Sequence, residues 1–415
     1  ITMADERLPL LGYSKEGSAS IAQAFGNIIV SIVGTGVLGL PYAFRISGWA
    51  ASAFAILLSA LLIYYCMMLL VKCRDKLEQL SNASILSYGD LARHTYGKIG
   101  CYVVETMVII SQCGGSVAYL VFIGQNMSSV FTGSADKTSF FICVFVPVEI
   151  ALAWVRTLTS LAPFSVFADV CNLLALAIVI KDDFGSFQGL ERVDAFTSWQ
   201  ALPFIAGVAV FCFEGFSMTL SLETSMKEPQ KFGRVLGYAF FFLAIFYAGF
   251  GLIGYLAYGN ETRDIVTLNL PNDWSTVAVK AGLCMALLFT FPVMMHPVHE
   301  MFEMKLMKSF WFQKLSYSFS WVQLVLLKIL RAGTVVILAV LALSVPGFGI
   351  FVSLVGSTVC ALLAFVFPAL IHLRTFKDSL NAPQKAFDMV IFTFGTIFAV
   401  YGTYSTCVEV MGIVK

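Results

Sequence analysis

Three glycines and a proline interrupt the first apolar stretch of this chain. They lie in the run Gly34-Thr35-Gly36-Val37-Leu38-Gly39-Leu40-Pro41, inside a segment long enough to cross a bilayer. Glycine and proline disfavour a helix interior, and an unpaired backbone N–H or C=O in hydrocarbon costs several kcal/mol. We therefore expect a helix break whose freed groups bind a polar ligand. N–H groups at the start of a half-helix suit a carboxylate, and opposed carbonyl oxygens suit an ammonium group. Close helix packing through small residues is the alternative interpretation.

A second interruption lies in the sixth apolar stretch, at Phe211-Cys212-Phe213-Glu214-Gly215-Phe216. An ionised glutamate at the centre of a membrane helix costs about 3 kcal/mol, so the presence of Glu214 there calls for a physical reason. Three interpretations stay open. Glu214 carries a coupling proton, or it clamps the unwound segment, or neighbouring helices simply satisfy its carboxyl group.

Other polar residues inside apolar stretches are further candidates. Asp169 in the fifth stretch and His296 in the eighth are candidates for coupling, since both titrate, and for each of them an ordinary structural residue is the alternative interpretation. The glycine-rich segment 112–119 in the third stretch allows either a ligand or another helix to approach closely. Tyr119 at its end is a gate or a packed side chain.

The composition places these elements in a membrane. Of the 415 residues, 59% are hydrophobic and 12% are charged, with a mean hydropathy of +0.85, whereas soluble domains have about 25% charged residues. The predicted class is an all-α polytopic membrane protein. A net charge of +1 argues against a nucleic-acid partner. The ten cysteines lack metal-ligand spacing, and no GxxxxGK[ST] phosphate loop occurs, so we expect no metal, cofactor, ATP-driven step or enzymatic activity.

Eleven stretches are predicted to span the membrane, and the segment 303–324 to lie at its surface, because lysines interrupt it. The two breaks fall in spans one and six, which are equivalent positions of two five-helix halves. This indicates a 5+5 inverted repeat with one extra C-terminal helix. The predicted spans are 24–46, 49–71, 100–131, 138–155, 162–180, 201–224, 234–258, 275–299, 325–344, 348–372 and 387–410. The predicted divisions are an N-terminal tail at 1–23, repeat one at 24–181, a non-cytosolic loop at 182–200, repeat two at 201–373, and span eleven with the C-terminus at 374–415.

The distribution of positive charge predicts the orientation. Most of the 26 Lys and Arg residues fall on one side when the N-terminus is cytosolic and the C-terminus is not. The sequon Asn260-Glu261-Thr262 then lies in a non-cytosolic loop, which is weak support. The run Glu6-Arg7-Leu8-Pro9-Leu10-Leu11 has the form of an acidic dileucine sorting signal. It favours a vacuolar or other endomembrane location, with the plasma membrane as the alternative.

The chain resembles the amino acid/auxin permease superfamily, most closely its plant branch of vacuolar-type aromatic and neutral amino acid transporters. The resemblance implies a leucine-transporter-like 5+5 inverted repeat, alternating access and proton-driven movement of amino acids. The resembling stretches are NIIVSIVGTGVLGLPYAFR (27–45), QCGGSVAYLVFIG (112–124), PFSVFADVCN (163–172), GVAVFCFEGFSMTLSLE (207–223), DIVTLNLPN (264–272), SVPGFGIFVSLVGSTVCAL (344–362) and FAVYGTY (398–404).

We therefore expect a monomeric, proton-coupled carrier of neutral and aromatic amino acids in the lipid bilayer, with sodium as the alternative coupling ion. Carriage of an indole acid such as auxin, or sensing of amino acids without transport, are the alternative functions. N–H groups of the first break would bind the substrate carboxylate, and carbonyls of both breaks its ammonium group. No catalytic residue is predicted, and the coupling candidates are Glu214, Asp169 and His296. The predicted substrate site contains Ser31, Gly34, Thr35, Gly36, Val37, Ser116, Tyr119, Phe211, Cys212, Phe213, Glu214, Phe216 and Phe289.

Overall fold

The chain folds into a helical bundle, seen in a computed structural model that describes residues 17–81, 84–155, 158–185, 193–271, 273–310, 312 and 320–410. The predicted sorting signal at 6–11 lies outside the described residues, as does most of the segment between 311 and 319. In chain order the α-helices are α1 (Ile21–Ile32), α2 (Leu40–Ser47), α3 (Trp49–Ser81), α4 (Tyr88–Thr132), α5 (Thr138–Ala153), α6 (Leu158–Gly185), α7 (Leu202–Cys212), α8 (Thr219–Thr224), α9 (Phe232–Tyr258), α10 (Trp274–Met307), α11 (Ser320–Leu343), α12 (Phe348–Val355), α13 (Phe367–Thr375) and α14 (Ala382–Val410).

Several of these helices are long and apolar enough to cross a bilayer. Within the described residues, length and composition identify eight such stretches, or nine when α1 and α2 are counted as one bent span. This supports the predicted multi-pass, all-helical class. The described helices overlap each of the eleven predicted spans, but α5 has only 16 residues and is among the shorter apolar helices. The eleven-span count and the inverted repeat stay predictions.

The first span is broken where the glycine run predicts. Helix α1 ends at Ile32, a 3₁₀ turn occupies Thr35–Gly39, and α2 follows directly. The axes on the two sides of the break differ by 51°. Gly34, between the two helical segments, has an extended backbone with φ −116° and ψ −170°. The predicted helix break is therefore confirmed, because neither half continues through Val33 and Gly34.

The sixth span is broken at its predicted position as well. Helix α7 ends at Cys212, and a single 3₁₀ turn at Phe216–Met218 leads into the short helix α8. Between them, Phe213 and Glu214 leave the regular helical pattern. The freed backbone is partly re-satisfied locally, since the N–H of Glu214 donates to the carbonyl of Phe211 at 3.1 Å.

The centre of the bundle is formed by α4 and α7. Helix α4 is buried on every side from Gly114 to Ser129, as expected for a helix surrounded by others. Helix α7 packs against the tenth predicted span at a glycine–glycine crossing, because a Cβ on Gly356 would lie 1.9 Å from the carbonyl oxygen of Gly207. This span is wound as a π-helix at Gly356–Cys360 and Leu362–Val366, which the sequence analysis did not predict.

Candidate functional site

The two broken spans meet around one cavity of about 100 Å³. Its walls come from both breaks, from the glycine-rich part of α4 and from α10. A buried space lined by interrupted helices is where a membrane protein can present unpaired backbone groups to a ligand. The lining residues are Ser31, Ile32, Gly34, Thr35, Gly36, Gln112, Gly115, Tyr119, Phe211, Cys212, Glu214, Gly215, Ser217, Met218 and Met294.

Gly36 lets the two breaks touch. A Cβ at this position would lie 3.0 Å from the Cys212 sulfur and 3.0 Å from a ring carbon of Phe211. A side chain here would force Cys212 or Phe211 to shift by a few tenths of an ångström, so the second glycine of the run has a packing reason to be glycine. Gly34 differs, because a Cβ there would have nothing within 4 Å. Within one motif, Gly36 therefore allows the two breaks to pack closely, and Gly34 leaves space for the cavity.

The backbone on the Gly34 side of the cavity offers N–H donors. The N–H groups of the first three residues of a 3₁₀ turn have no partner inside it, and none is found elsewhere among the described residues for Thr35, Gly36 or Val37. The turn continues into α2, so the positive end of the combined helical run Thr35–Ser47 points to this region. The hydroxyl of Thr35 is buried and also has no partner within the described part of the chain. This wall is suited to an anionic group.

Carbonyl groups freed by the two breaks are held by one side chain. The hydroxyl of Tyr247 on α9 lies 3.3 Å from the carbonyl oxygen of Ile32 and 3.3 Å from that of Cys212. Tyr247 is 1% exposed. Two of the carbonyls expected to face an ammonium group, those of Phe211 and Cys212, therefore already accept one hydrogen bond each. Each keeps a second lone pair.

Glu214 brings a carboxyl group to the cavity wall, where it accepts a hydrogen bond from the hydroxyl of Ser111 on α4. The Ser111 oxygen in turn lies 3.5 Å from the Cys360 sulfur in the π-helical segment. Glu214 thus connects the break of the sixth span to the third and tenth predicted spans. This contact fits the clamp interpretation, and the position in the cavity also fits contact with a ligand or a proton.

The structure brings together eight of the predicted substrate-site residues and places five elsewhere. Those that line the cavity are Ser31, Gly34, Thr35, Gly36, Tyr119, Phe211, Cys212 and Glu214. Those outside its lining are Val37, Ser116, Phe213, Phe216 and Phe289.

The five residues outside the lining are buried or half-buried elsewhere in the bundle. Phe213 turns toward α9, where its ring stacks on Phe240 with centroids 5.5 Å apart. Val37 is buried in the core within the 3₁₀ turn of the first break, and Phe216 is buried in the turn after the second break. Ser116 is fully buried on α4 and does not line the cavity, although it lies four residues after Gln112 and three before Tyr119, which both do. Phe289 on α10 is half-buried outside the cavity.

The two other coupling candidates also lie outside the cavity lining. Asp169 on α6 is half-buried and lies within electrostatic range of Tyr119. His296 is buried on α10. Neither contacts the space enclosed by the two breaks.

Several lining residues were not predicted. Gln112 and Gly115 belong to the glycine-rich segment of α4, and Met294 belongs to the proline-containing run of α10. The sequence indicated both segments, but not which of their residues face the cavity. Ser217 and Met218 follow the second break and lie just beyond the predicted run. Helical register after a break depends on backbone angles that no sequence pattern supplies.

On the predicted non-cytosolic side, the loop between α9 and α10 packs against the first break, since a Cβ on Gly39 would lie 3.6 Å from the carbonyl oxygen of Asp264. We interpret this loop as the closure of the cavity on that side. In this loop the Asp264 carboxylate accepts hydrogen bonds from the Gln125 side-chain amide at 3.0 Å and from the backbone N–H of Phe348 at 2.9 Å. The hydroxyl of Thr267 donates to Asn126 at 2.6 Å. By contrast, Met218 at the opposite end of the lining is 49% exposed. The cavity therefore approaches the surface on the predicted cytosolic side.

The bundle of apolar helices, with two broken spans around one internal cavity, defines a multi-pass membrane protein. The sequence model described as transmembrane amino acid transporter protein matches residues 17–408. The chain belongs to this family, which confirms the predicted resemblance.

The relatives are named transporters and not enzymes. The chain is 47% identical over 424 residues to amino acid transporter ANT1 of Arabidopsis thaliana, covering 99% of this chain and 98% of that protein. It is 39% identical over 414 residues to amino acid transporter AVT3A of the same plant, covering 98% and 93%. Vacuolar amino acid transporter 3 of Saccharomyces cerevisiae is 28% identical over 406 residues, which cover 94% of this chain and 56% of that protein. The prediction of a transport protein rather than an enzyme is confirmed.

Proposed function

We propose that this protein is a secondary active, proton-coupled carrier of neutral and aromatic amino acids that works by alternating access. The observation that carries the proposal is the meeting of both broken spans at one cavity that holds a single carboxyl group. A zwitterion has one anionic and one cationic end at fixed spacing, and it needs a donor wall and an acceptor wall facing each other. The N–H groups of Thr35 and Gly36 supply donors to the cavity, and the carbonyls of the second break with Glu214 supply acceptors, which supports the proposal.

The substrate carboxylate binds the donor wall at Gly34, Thr35 and Gly36. Free N–H groups and the positive helix end favour an anion there, without a buried lysine or arginine. The ammonium group binds the remaining lone pairs of the break carbonyls, together with Glu214. Since Tyr247 already uses part of the carbonyl capacity, Glu214 is the principal acceptor for this group.

Selection for uncharged side chains follows from the lining. Among the described residues, those that line the cavity include no Lys or Arg, and Glu214 is the sole carboxyl of that lining. An acidic substrate side chain would therefore lack a partner, and a basic one would compete with the ammonium group for Glu214. The rest of the wall is formed by Gly115, Tyr119, Phe211 and Met294, which suits an apolar side chain.

An aromatic substrate requires the cavity to expand. A space of about 100 Å³ is smaller than the engineered cavity of about 150 Å³ that binds benzene in another protein. Met294 is the wall residue best able to move, because its unbranched side chain is flexible, and its sulfur would lie only 3.0 Å from a Cβ on Gly115. Small neutral amino acids fit the cavity as it stands, and aromatic ones enter when Met294 moves aside.

The proposal includes a location and an orientation. Relatives named as vacuolar transporters support the vacuolar membrane, and the distribution of Lys and Arg supports a cytosolic N-terminus and a non-cytosolic C-terminus. A proton gradient across such a membrane is the driving force that a carboxyl group in the cavity could use.

The test is transport by the full chain in proteoliposomes. Counterflow of labelled phenylalanine, alanine, arginine and glutamate should show exchange of the first two and little of the others. An imposed pH gradient should drive accumulation, whereas a sodium gradient at constant pH should not. Exchange of indole acetate instead of amino acids, or amino acid binding without any exchange, would contradict the proposal.

A further inference from the structure

A second, larger cavity of about 510 Å³ lies at the ends of α3 and α9 on the predicted cytosolic side. Its volume falls within the range of about 300–1,000 Å³ that is usual for ligand pockets. The proposed transport cycle does not use it. Its lining residues are Met68, Val71, Lys72, Arg74, Asp75, Glu223, Pro229, Gln230, Phe232, Gly233 and Arg234.

Arg74 pairs with both acidic groups of this second cavity. Arg74 is buried and forms an ion pair with Glu223, and it also donates to Asp75 at 2.6 Å. No such partner is found among the described residues for Lys72 or Arg234, which are both exposed. The charged side chains of the lining sum to a net charge of +1, and Lys72 and Arg234 are the two cations left to meet a ligand, so the cavity favours an anion.

Both cations stand at the end of a lipid-facing stripe. On α3, Lys72 lies eleven residues after Leu61, which is 63% exposed, and eleven residues are almost exactly three helical turns. On α9, Arg234 lies seven residues before Phe241 and eleven before Ile245, which are 69% and 54% exposed. Each basic side chain is therefore placed where an apolar membrane face meets the water.

We propose that this cavity binds the phosphate-bearing headgroup of an anionic lipid in the cytosolic leaflet, held by Lys72 and Arg234. The apolar stripes on α3 and α9 hold the acyl chains beside the bundle, so that the headgroup enters between the helix ends. Basic pockets of this kind between membrane helices are suited to phosphorylated headgroups. A soluble anion would use the two charges but gain nothing from the stripes.

Glu223 links the proposed lipid site to the half-helix that follows the second break. It lies on α8, the half-helix that follows the second break, and its partner Arg74 lies on α3 beside Lys72. A phosphate in the cavity would attract Arg74 and weaken its hold on α8. Lipid binding is therefore placed to bias the movement of the broken span.

Native mass spectrometry of the full chain in detergent tests the proposal. With equimolar phosphatidylinositol 4-phosphate and phosphatidylcholine, the wild-type protein should retain the phosphoinositide preferentially. Removing each charge should weaken its binding about fivefold, so the double variant Lys72→Gln/Arg234→Gln should lose most of it. The charge-keeping variant Lys72→Arg/Arg234→Lys should retain it. The matched control Lys377→Gln/Lys385→Gln removes two exposed charges of the same predicted side, outside the cavity, and should bind as wild type.

Three results would overturn the proposal. The first is equal retention of both lipids by the wild-type protein. The second is loss of phosphoinositide binding by the Lys377/Lys385 control to the same extent as by the Lys72/Arg234 variant. The third uses the wild-type chain alone: if inorganic phosphate or the free inositol phosphate headgroup displaces the lipid at equal concentration, the site binds a soluble anion and not a lipid.

Discussion

The hydroxyl oxygen of Tyr247 lies 3.3 Å from the carbonyl oxygen of Cys212, the residue at which α7 ends. The same oxygen is 3.3 Å from the carbonyl of Ile32, at which α1 ends. One side chain on a continuous helix thus contacts the carbonyl groups freed by both breaks. An unpaired carbonyl in a dry membrane core is costly, so Tyr247 stabilises two interruptions that would otherwise be unfavourable.

Removal of this hydroxyl should destabilise the protein. Tyr247→Phe keeps the ring, which packs on Phe213 with centroids 5.1 Å apart, and deletes the shared donor. We expect a loss of about 1 kcal/mol in the free energy of unfolding, measured by thermal or denaturant unfolding in detergent. Tyr238→Phe is the matched control, because Tyr238 lies on the same helix and is 69% exposed. Equal stability of the two variants would remove the role assigned to Tyr247.

A side chain at Gly34 should block the cavity without disturbing the fold. A Cβ at Gly34 has nothing within 4 Å, and the residue lines the cavity, so Gly34→Leu fills the space where the substrate carboxylate is proposed to bind. Uptake by proteoliposomes should fall at least tenfold with normal thermal stability. Gly26→Leu is the control, since a Cβ at Gly26 also has nothing within 4 Å, on α1 outside the cavity. Wild-type uptake by Gly34→Leu would remove the site assignment.

Exchange of the Glu214 carboxyl for an amide should separate coupling from binding. Glu214→Gln keeps a hydrogen-bonding side chain beside Ser111 but cannot carry a proton. If Glu214 carries the coupling proton, an imposed pH gradient should no longer drive accumulation, while counterflow exchange persists. Ser111→Ala leaves the carboxyl group in place and should keep coupling at a reduced rate. Accumulation by Glu214→Gln that equals the wild type would exclude Glu214 as the proton carrier and leave it the clamp and ammonium-binding roles.

The sequence predicted the backbone of the site better than its side chains. Glycine, proline and an acid within apolar segments predicted both breaks, because these residue types make a continuous membrane helix unfavourable. The face that each residue presents depends on the angles of the break itself. Phe213 and Glu214 are neighbours, yet one packs against α9 and the other lines the cavity. The contact between Gly207 and Gly356 depends on two segments far apart in the chain, so neither segment alone could predict it.

The closure over the non-cytosolic end should depend on Asp264. Its carboxylate accepts two hydrogen bonds, from Gln125 on α4 and from the backbone N–H at the start of α12. Hydrogen bonds to a charged group contribute about 1.5–3 kcal/mol each, so Asp264→Ala should shift the population toward a loop that is open on this side. Cys212 reports the change, because it lines the cavity and is only 4% exposed. A membrane-impermeant thiol reagent on the non-cytosolic side should modify Cys212 about tenfold faster in the variant.

The control for this prediction lies in the same loop. Glu261 is exposed, and no side-chain hydrogen bond of its carboxylate is found among the described residues, so Glu261→Ala removes a nearby negative charge without removing a contact of the closure. Modification of Cys212 should be read by peptide mass spectrometry, because Cys143 is exposed and would obscure a whole-protein signal. Since both variants remove one carboxylate from the loop, a general electrostatic effect on the reagent would accelerate both equally. Faster modification in Asp264→Ala alone therefore assigns the closure to the two hydrogen bonds, and equal rates in both variants would exclude that assignment.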